Sequence, residues 1–179
     1  MTKRVKLLIT GFEPFRHHKI NTSWQAANHI GQLFDDVVAV ELPVEYVAAH
    51  DKLIESLEKY KPDSCLCMGL AEGTEFRLEK MARKPKELSQ FAGEEKHFST
   101  WPLEAMGEVL TGLKSNWRYS EDCGQYVCES TLWTLLQYKF EKENLEHATF
   151  LHVPSVSDEY SIQRINDNVQ AIVKQYLKI

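Results

Sequence analysis

At 179 residues, 43% of them hydrophobic, the chain is long enough for one domain over residues 1–179 with a sizeable core. Its 21 basic and 26 acidic residues leave a formal charge of −5, and no block of like charge forms a basic face, so nucleic-acid binding is excluded. No window approaches the ~18 apolar residues of a membrane span. The basic-then-apolar start at residues 1–10 is too short for a signal-peptide core and lacks a cleavage site, which leads us to expect a cytoplasmic protein away from membranes.

In chain order, residues 5–10 read as a continuous apolar strand of the kind buried on both faces of a parallel sheet. Gly11-Phe-Glu-Pro-Phe15 breaks it, and Asn21-Thr-Ser-Trp24 supplies capping side chains for a helix through Ala27, Ile30 and Leu33. Residues 37–42 form the second strand. Pro43 starts an amphipathic segment whose Val47, Leu53, Ile54 and Leu57 face inward, ending at Tyr60. Residues 64–70 are the third strand, with Gly69 and Gly73 expected to stop it. Over residues 71–98 the periodicity fails, giving a loop-rich excursion with one short strand at residues 76–81. A helix follows through Leu113, a short strand at residues 117–120, another at 148–153 halted by Pro154, and an amphipathic helix over 158–177. Strands alternating with helices imply an α/β fold with a mostly parallel sheet covered on both faces, and ligands at the carboxyl ends of its strands.

Between these elements lies Gly124-Gln-Tyr-Val-Cys-Glu-Ser-Thr-Leu-Trp-Thr-Leu-Leu136, where Leu132, Leu135, Leu136 and Phe140 recur at helical spacing. Cys128 therefore opens a helix, where unpaired amides and the positive end of the dipole favour thiolate over thiol. A small hydrophobe packed at a strand–helix junction would look the same. His152 ends a buried strand, as an ordinary core histidine does. Facing Cys128, it takes the thiol proton and returns it to a leaving amine. Glu79, in Phe76-Arg-Leu-Glu-Lys-Met-Ala82, is a surface acid by default, but against the imidazole it fixes the tautomer. The remaining cysteines, Cys65, Cys67 and Cys123, read as free thiols, and the C-x-C pair sits in a buried strand.

Eight blocks carry a resemblance. Gly11-Phe-Glu-Pro-Phe15, Ile20-Asn-Thr-Ser-Trp24, Leu42-Pro-Val44, Met68-Gly-Leu-Ala71, Leu78-Glu-Lys-Met-Ala82, Ser99-Thr-Trp-Pro102, Gln125-Tyr-Val-Cys128 and Phe150-Leu-His-Val-Pro154 follow one another. In that order they resemble pyroglutamyl peptidase I, the pyrrolidone-carboxylate peptidase family of cysteine peptidases. The resemblance implies a three-layer α/β/α sandwich with a mixed central sheet, similar to purine nucleoside phosphorylases. It implies a Cys-His-Glu triad of Cys128, His152 and Glu79 that removes amino-terminal pyroglutamate from peptides through a thioester. It further implies Phe12 and Phe15 as faces around the pyroglutamyl ring, with Asn21 at its polar edge. No metal or organic cofactor is required, and a homo-oligomer is implied, tetramers being common in the family.

The chain also departs from that pattern. Arg16 and His17 stand where family members carry glycines, Glu129 replaces an asparagine after the cysteine, and the run from Arg83 to Gly93 replaces a segment that holds an active-site arginine. Arg77 and Arg83 lie near in sequence, but neither matches the motif. A rival reading is thus a weak or inactive family member that binds pyroglutamyl or other small ligands without cutting. A nucleoside phosphorylase would need a glycine- and arginine-rich phosphate site that the sequence does not contain.

Overall fold

The computed structural model describes residues 3–179. Its centre is a six-stranded sheet built from β1 (Leu7–Phe12), β2 (Val37–Leu42), β3 (Ser64–Ala71), β4 (Phe76–Glu79), β7 (Trp117–Ser120) and β8 (Ala148–Pro154). The strand order is β2-β1-β3-β8-β4-β7. The first four strands in that order run parallel, β4 is antiparallel to β8, and β7 is parallel to β4. Two short strands, β5 (Met81–Arg83) and β6 (Lys96–Phe98), pair separately as an antiparallel ribbon.

Among the described residues five helices cover the sheet, and the alternation along each strand decides which side they serve. Leu7, Ile9, Leu66, Met68, Leu151 and Val153 pack with α1 (Thr22–Leu33), α3 (Leu103–Gly112) and α5 (Ile162–Leu177). The alternate residues Leu8, Val40, Leu42, Cys65, Cys67, Ala148 and Phe150 pack with α2 (Tyr46–Tyr60) and α4 (Val127–Lys142). Every residue of β1, β3 and β8 is buried, which is why these segments read as unbroken apolar runs. The result is the three-layer α/β/α sandwich with a mixed, mostly parallel sheet.

Local chemistry sets the helix starts. Asn21 caps α1 by accepting from the Ser23 amide, Glu45 caps α2 by accepting from Val47 and Ala48, and Ser161 caps α5 by accepting from Arg164. The last helix therefore begins after Ser161 rather than at residue 158. Helix α1 lies against the end of β1 because Gly11 has no side chain: a Cβ there would stand 2.5 Å from the Ser23 carbonyl.

Three expectations need correction. Gly69 does not stop β3 but lies inside it, paired with His152. Phe140 is 59% exposed, so it is no part of the inward stripe of α4. That helix is instead buried continuously from Ser130 to Tyr138, because the sheet, α2 and the β5–β6 ribbon enclose it on several sides. The 71–98 excursion is also more ordered than the failed periodicity implies, with three short strands and a 3₁₀ turn at Lys86–Leu88. Elements of three or four residues are too short to display a period.

Candidate active site

The antiparallel pairing of β4 and β8 sets Arg77 opposite His152 and Glu79 opposite Phe150. Period-two alternation puts Arg77, Glu79, Phe150 and His152 on the sheet face that α4 covers, while Leu78 and Leu151 point the other way. On that face Glu79 Oε1 meets His152 Nδ1 at 2.7 Å, with side-chain exposures of 0% and 5%. With Nδ1 engaged by the carboxylate, Nε2 is the nitrogen free to exchange a proton.

Cys128 approaches the same place from above. It is the second residue of α4, and its sulfur packs over Gly69, where an added Cβ would come within 2.8 Å of it. Since Gly69 is the register partner of His152 on the neighbouring strand, sulfur and imidazole occupy adjacent positions on one face. Phe150 completes the floor: its Cζ stands 2.8 Å from the same hypothetical Cβ, and its ring centroid lies 4.8 Å from that of His152. Sequence periodicity did not single out Gly69, although it sits in the Met68-Gly-Leu-Ala71 block.

Helix α4 has Tyr126 as its N-cap, without a capping side chain. Among the described residues, nothing accepts a hydrogen bond from the amides of Val127 or Cys128. Two donors are therefore available beside the thiol, as at any uncapped helix start.

The electrostatics differ from the expectation of a preformed thiolate. Burial, and then the Glu79 carboxylate, push the Cys128 thiol up to about 12, while the Arg77 guanidinium pulls it down. The free amides of the α4 start pull in the same downward direction as Arg77. Burial likewise draws His152 below the ordinary histidine value, against the raising effect of its bond to Glu79. The resting pair is thus neutral thiol and neutral imidazole. Glu129, expected beside the thiol, turns aside: its Oε1 accepts from the Arg83 amide at 3.1 Å and so ties α4 to β5.

Phe12, Phe15 and Asn21 lie at the carboxyl end of β1 and in the loop beyond it. Phe12 is 2% exposed, Phe15 is half-buried, and the two rings do not contact each other among the described aromatic pairs. Asn21 is spent mainly on structure: Oδ1 accepts from the Ser23 amide and hydroxyl, and Nδ2 donates to the Glu13 carbonyl, leaving one Nδ2 hydrogen. Two contacts carry this loop toward the site. Thr22 Oγ1 donates to the Pro154 carbonyl at 2.9 Å, and the Arg16 guanidinium sits 5.7 Å from the Phe15 ring and 5.6 Å from that of Tyr126. On the other flank opens a cavity of about 600 Å³, lined by Arg77, Arg83, Arg118, Gln125 and Glu129 among others, and by none of the three β1-loop residues.

A family model described as Pyroglutamyl peptidase matches residues 5–176. The chain belongs to the pyroglutamyl peptidase family. It is 33% identical to the pyrrolidone-carboxylate peptidase of Brachyspira hyodysenteriae, an alignment covering 87% of this chain and 86% of that one. It is 31% identical to the enzyme of the same name from Thermosipho africanus, covering 96% and 98%. Among solved structures, a mutant pyrrolidone carboxyl peptidase from the hyperthermophile Pyrococcus furiosus superposes with a TM-score of 0.84 at 25% identity, covering 97% of this chain and 98% of that one. Within this pyroglutamyl peptidase fold, β4 and β8 carry Glu79 and His152, and α4 carries Cys128.

Proposed function

We propose that the chain is a cysteine exopeptidase that hydrolyses the amide bond following an amino-terminal pyroglutamyl residue, acting as one domain over residues 1–179. The observation that carries this reading is the buried 2.7 Å bond from Glu79 to His152 on the face where the Cys128 sulfur packs over Gly69. In this reaction Cys128 is the nucleophile, His152 the general base and acid, and Glu79 the residue that holds the ring's tautomer.

Because thiol and imidazole both rest neutral, proton transfer accompanies attack. The Cys128 S–H proton passes to His152 Nε2 as sulfur bonds to the scissile carbonyl carbon. The carbonyl oxygen becomes an oxyanion, which the Val127 and Cys128 amides stabilise at the positive end of α4. The imidazolium, stabilised by Glu79, then protonates the leaving nitrogen, the C–N bond breaks, and a thioester remains. Water gives a proton to His152, attacks the thioester and releases free pyroglutamate and the thiol.

The pyroglutamyl ring is a flat, uncharged lactam, so aromatic faces hold it and few polar groups are needed to read its edge. Phe12 and Phe15 are proposed as those faces, with the remaining Nδ2 hydrogen of Asn21 as a donor to the lactam carbonyl. A charged amino terminus brought there unpaired would carry a large desolvation cost, which selects the cyclised residue. No helix among the described residues is long and apolar enough to cross a membrane, and all four cysteines are free, in keeping with a reducing cytoplasmic setting. The proposed assembly is a homo-oligomer, and light scattering on the purified chain tests it.

A fluorogenic pyroglutamyl amide tests the reaction. Release of the fluorophore that disappears in Cys128→Ala is expected. Absence of turnover, combined with ligand protection of Cys128 from iodoacetamide, would instead establish a binding protein.

A further inference from the structure

Glu79 and His152 have a neighbour that the proposed reaction does not use. Cys123, 3% exposed in the turn before α4, brings its sulfur close to both: the sulfur, a carboxylate oxygen of Glu79 and a ring nitrogen of His152 all lie within 4.8 Å of one another. That triple does not include Cys128. A second observation bears on the same place. Glu79 is wholly buried, and while Oε1 bonds His152, its Oε2 has no hydrogen-bond partner. A buried carboxylate oxygen without a donor is a standing electrostatic demand for a positive group.

Thiolate, imidazole and carboxylate are the donor types of zinc sites. Ligand atoms around a tetrahedral zinc, at bonds of about 2.0–2.3 Å, stand roughly 3.3 to 3.8 Å apart. The present separations, none above 4.8 Å, are close to that spacing. Two negative ligands also cancel the charge of a dication, so the closed complex is neutral and its burial is not penalised as an isolated ion's would be. The 600 Å³ cavity is lined by Ser120 and Asp122, close to Cys123 in the chain, and by Arg77, on the strand of Glu79.

We propose that Glu79, Cys123 and His152 form an inhibitory site for a thiophilic divalent cation, with Zn²⁺ as the representative ion. On binding, the Cys123 S–H bond breaks, its proton leaves to solvent, and the sulfur lone pair bonds the metal. A ring nitrogen of His152 supplies its lone pair, and where that nitrogen is Nδ1 its proton moves to Nε2. Water fills the fourth position, and no electrons are transferred. The imidazole can then no longer accept the proton of Cys128, so turnover stops until a chelator removes the ion. Only this last consequence rests on the peptidase reading; metal binding does not.

The test uses the full chain carrying Cys128→Ala, which removes the half-buried thiol at the start of α4, titrated with Co²⁺ alone. One Co²⁺ per chain with a thiolate-to-cobalt charge-transfer band is expected, and both are lost when Cys123→Ser is added. Cys123→Ala serves as a second replacement, with thermal denaturation in the absence of metal verifying the fold. Charge transfer that survives both Cys123 replacements, or its absence from the Cys128→Ala chain, overturns the proposal. In the otherwise unmodified enzyme, Cys123→Ser is expected to retain turnover and to need at least tenfold more Zn²⁺ for half-inhibition, and an unchanged sensitivity overturns it as well. Cobalt binding without any turnover would sink the peptidase reading and leave this site standing.

Discussion

The sulfur of Cys128 occupies the space above Gly69 that any other residue would fill: a Cβ at position 69 would stand 2.8 Å from it. The position of the thiol thus depends on the absence of a side chain on the strand beside His152. For Gly69→Ala, the new methyl also meets Phe150 Cζ at 2.8 Å, so the sulfur or the ring must move. Overpacking of this kind costs about 1–3 kcal/mol, and misplacing a nucleophile by an ångström costs about 10²-fold in rate. We expect kcat/KM to fall at least tenfold with the protein still folded. Kinetics and thermal denaturation on the same preparation measure both, and wild-type turnover would show that the sulfur need not sit there.

The Glu79–His152 bond makes a separate prediction. Glu79→Gln keeps a side chain able to contact Nδ1 but removes the charge that stabilises the imidazolium. Its amide group can also impose the wrong tautomer. A loss of about 10²- to 10⁴-fold in kcat is expected, with substrate KM changed little because Glu79 is wholly buried. A KM effect with unaltered kcat would assign Glu79 to binding instead.

Acid and base behaviour follows from the neutral resting pair. The active base is neutral His152, and burial holds it below the ordinary histidine value of 6.5. The acid limb of kcat/KM is therefore expected below pH 6.5. Alkylation of Cys128 by iodoacetamide should keep rising through neutral pH toward about 12, and a plateau already reached near neutrality would reveal a thiolate–imidazolium pair. Stability has the matching sign. The unfolded chain protonates His152 more readily than the folded one, so this residue's contribution, full above the unfolded value, is lost as pH falls below 6.5 toward the lowered folded value. Denaturation midpoints measured across pH 5–8 check the direction.

Arg16 holds a left-handed backbone, with φ at 53°, at a position where the sequence resemblance implies glycine. That geometry costs a non-glycine residue about 1 kcal/mol, partly offset by its guanidinium against Phe15 and Tyr126. In Arg16→Gly, relief of strain and loss of these contacts oppose each other. Stability should stay within about 1 kcal/mol of the parent. Since the variant frees the Phe15 loop from the start of α4, KM for a pyroglutamyl amide is expected to rise with kcat little altered. An unchanged KM would exclude Phe15 as a face of the ring pocket.

Much of this was legible in order along the chain. The fully buried strands β1, β3 and β8 announced themselves as apolar runs, α1 and α5 by capping residues and stripes, and Cys128, His152 and Glu79 by the short blocks around them. The ribbon of β5 and β6 did not, because three-residue strands carry no period and their pairing is a contact between distant segments. The same holds for Arg77, whose place opposite His152 comes from an antiparallel pairing that no local pattern encodes.

By itself, then, the order of residues determined the layer architecture, the family and the chemical types available for catalysis, because those depend on side-chain period and local motif. Tertiary structure alone decided that Gly69 makes room for the sulfur, that Asn21 is mostly occupied in capping, that Glu129 turns to β5, and that Cys123 joins Glu79 and His152. It also decided that the thiol rests protonated, since burial is the sum of everything packed around a group and appears in no short stretch of sequence.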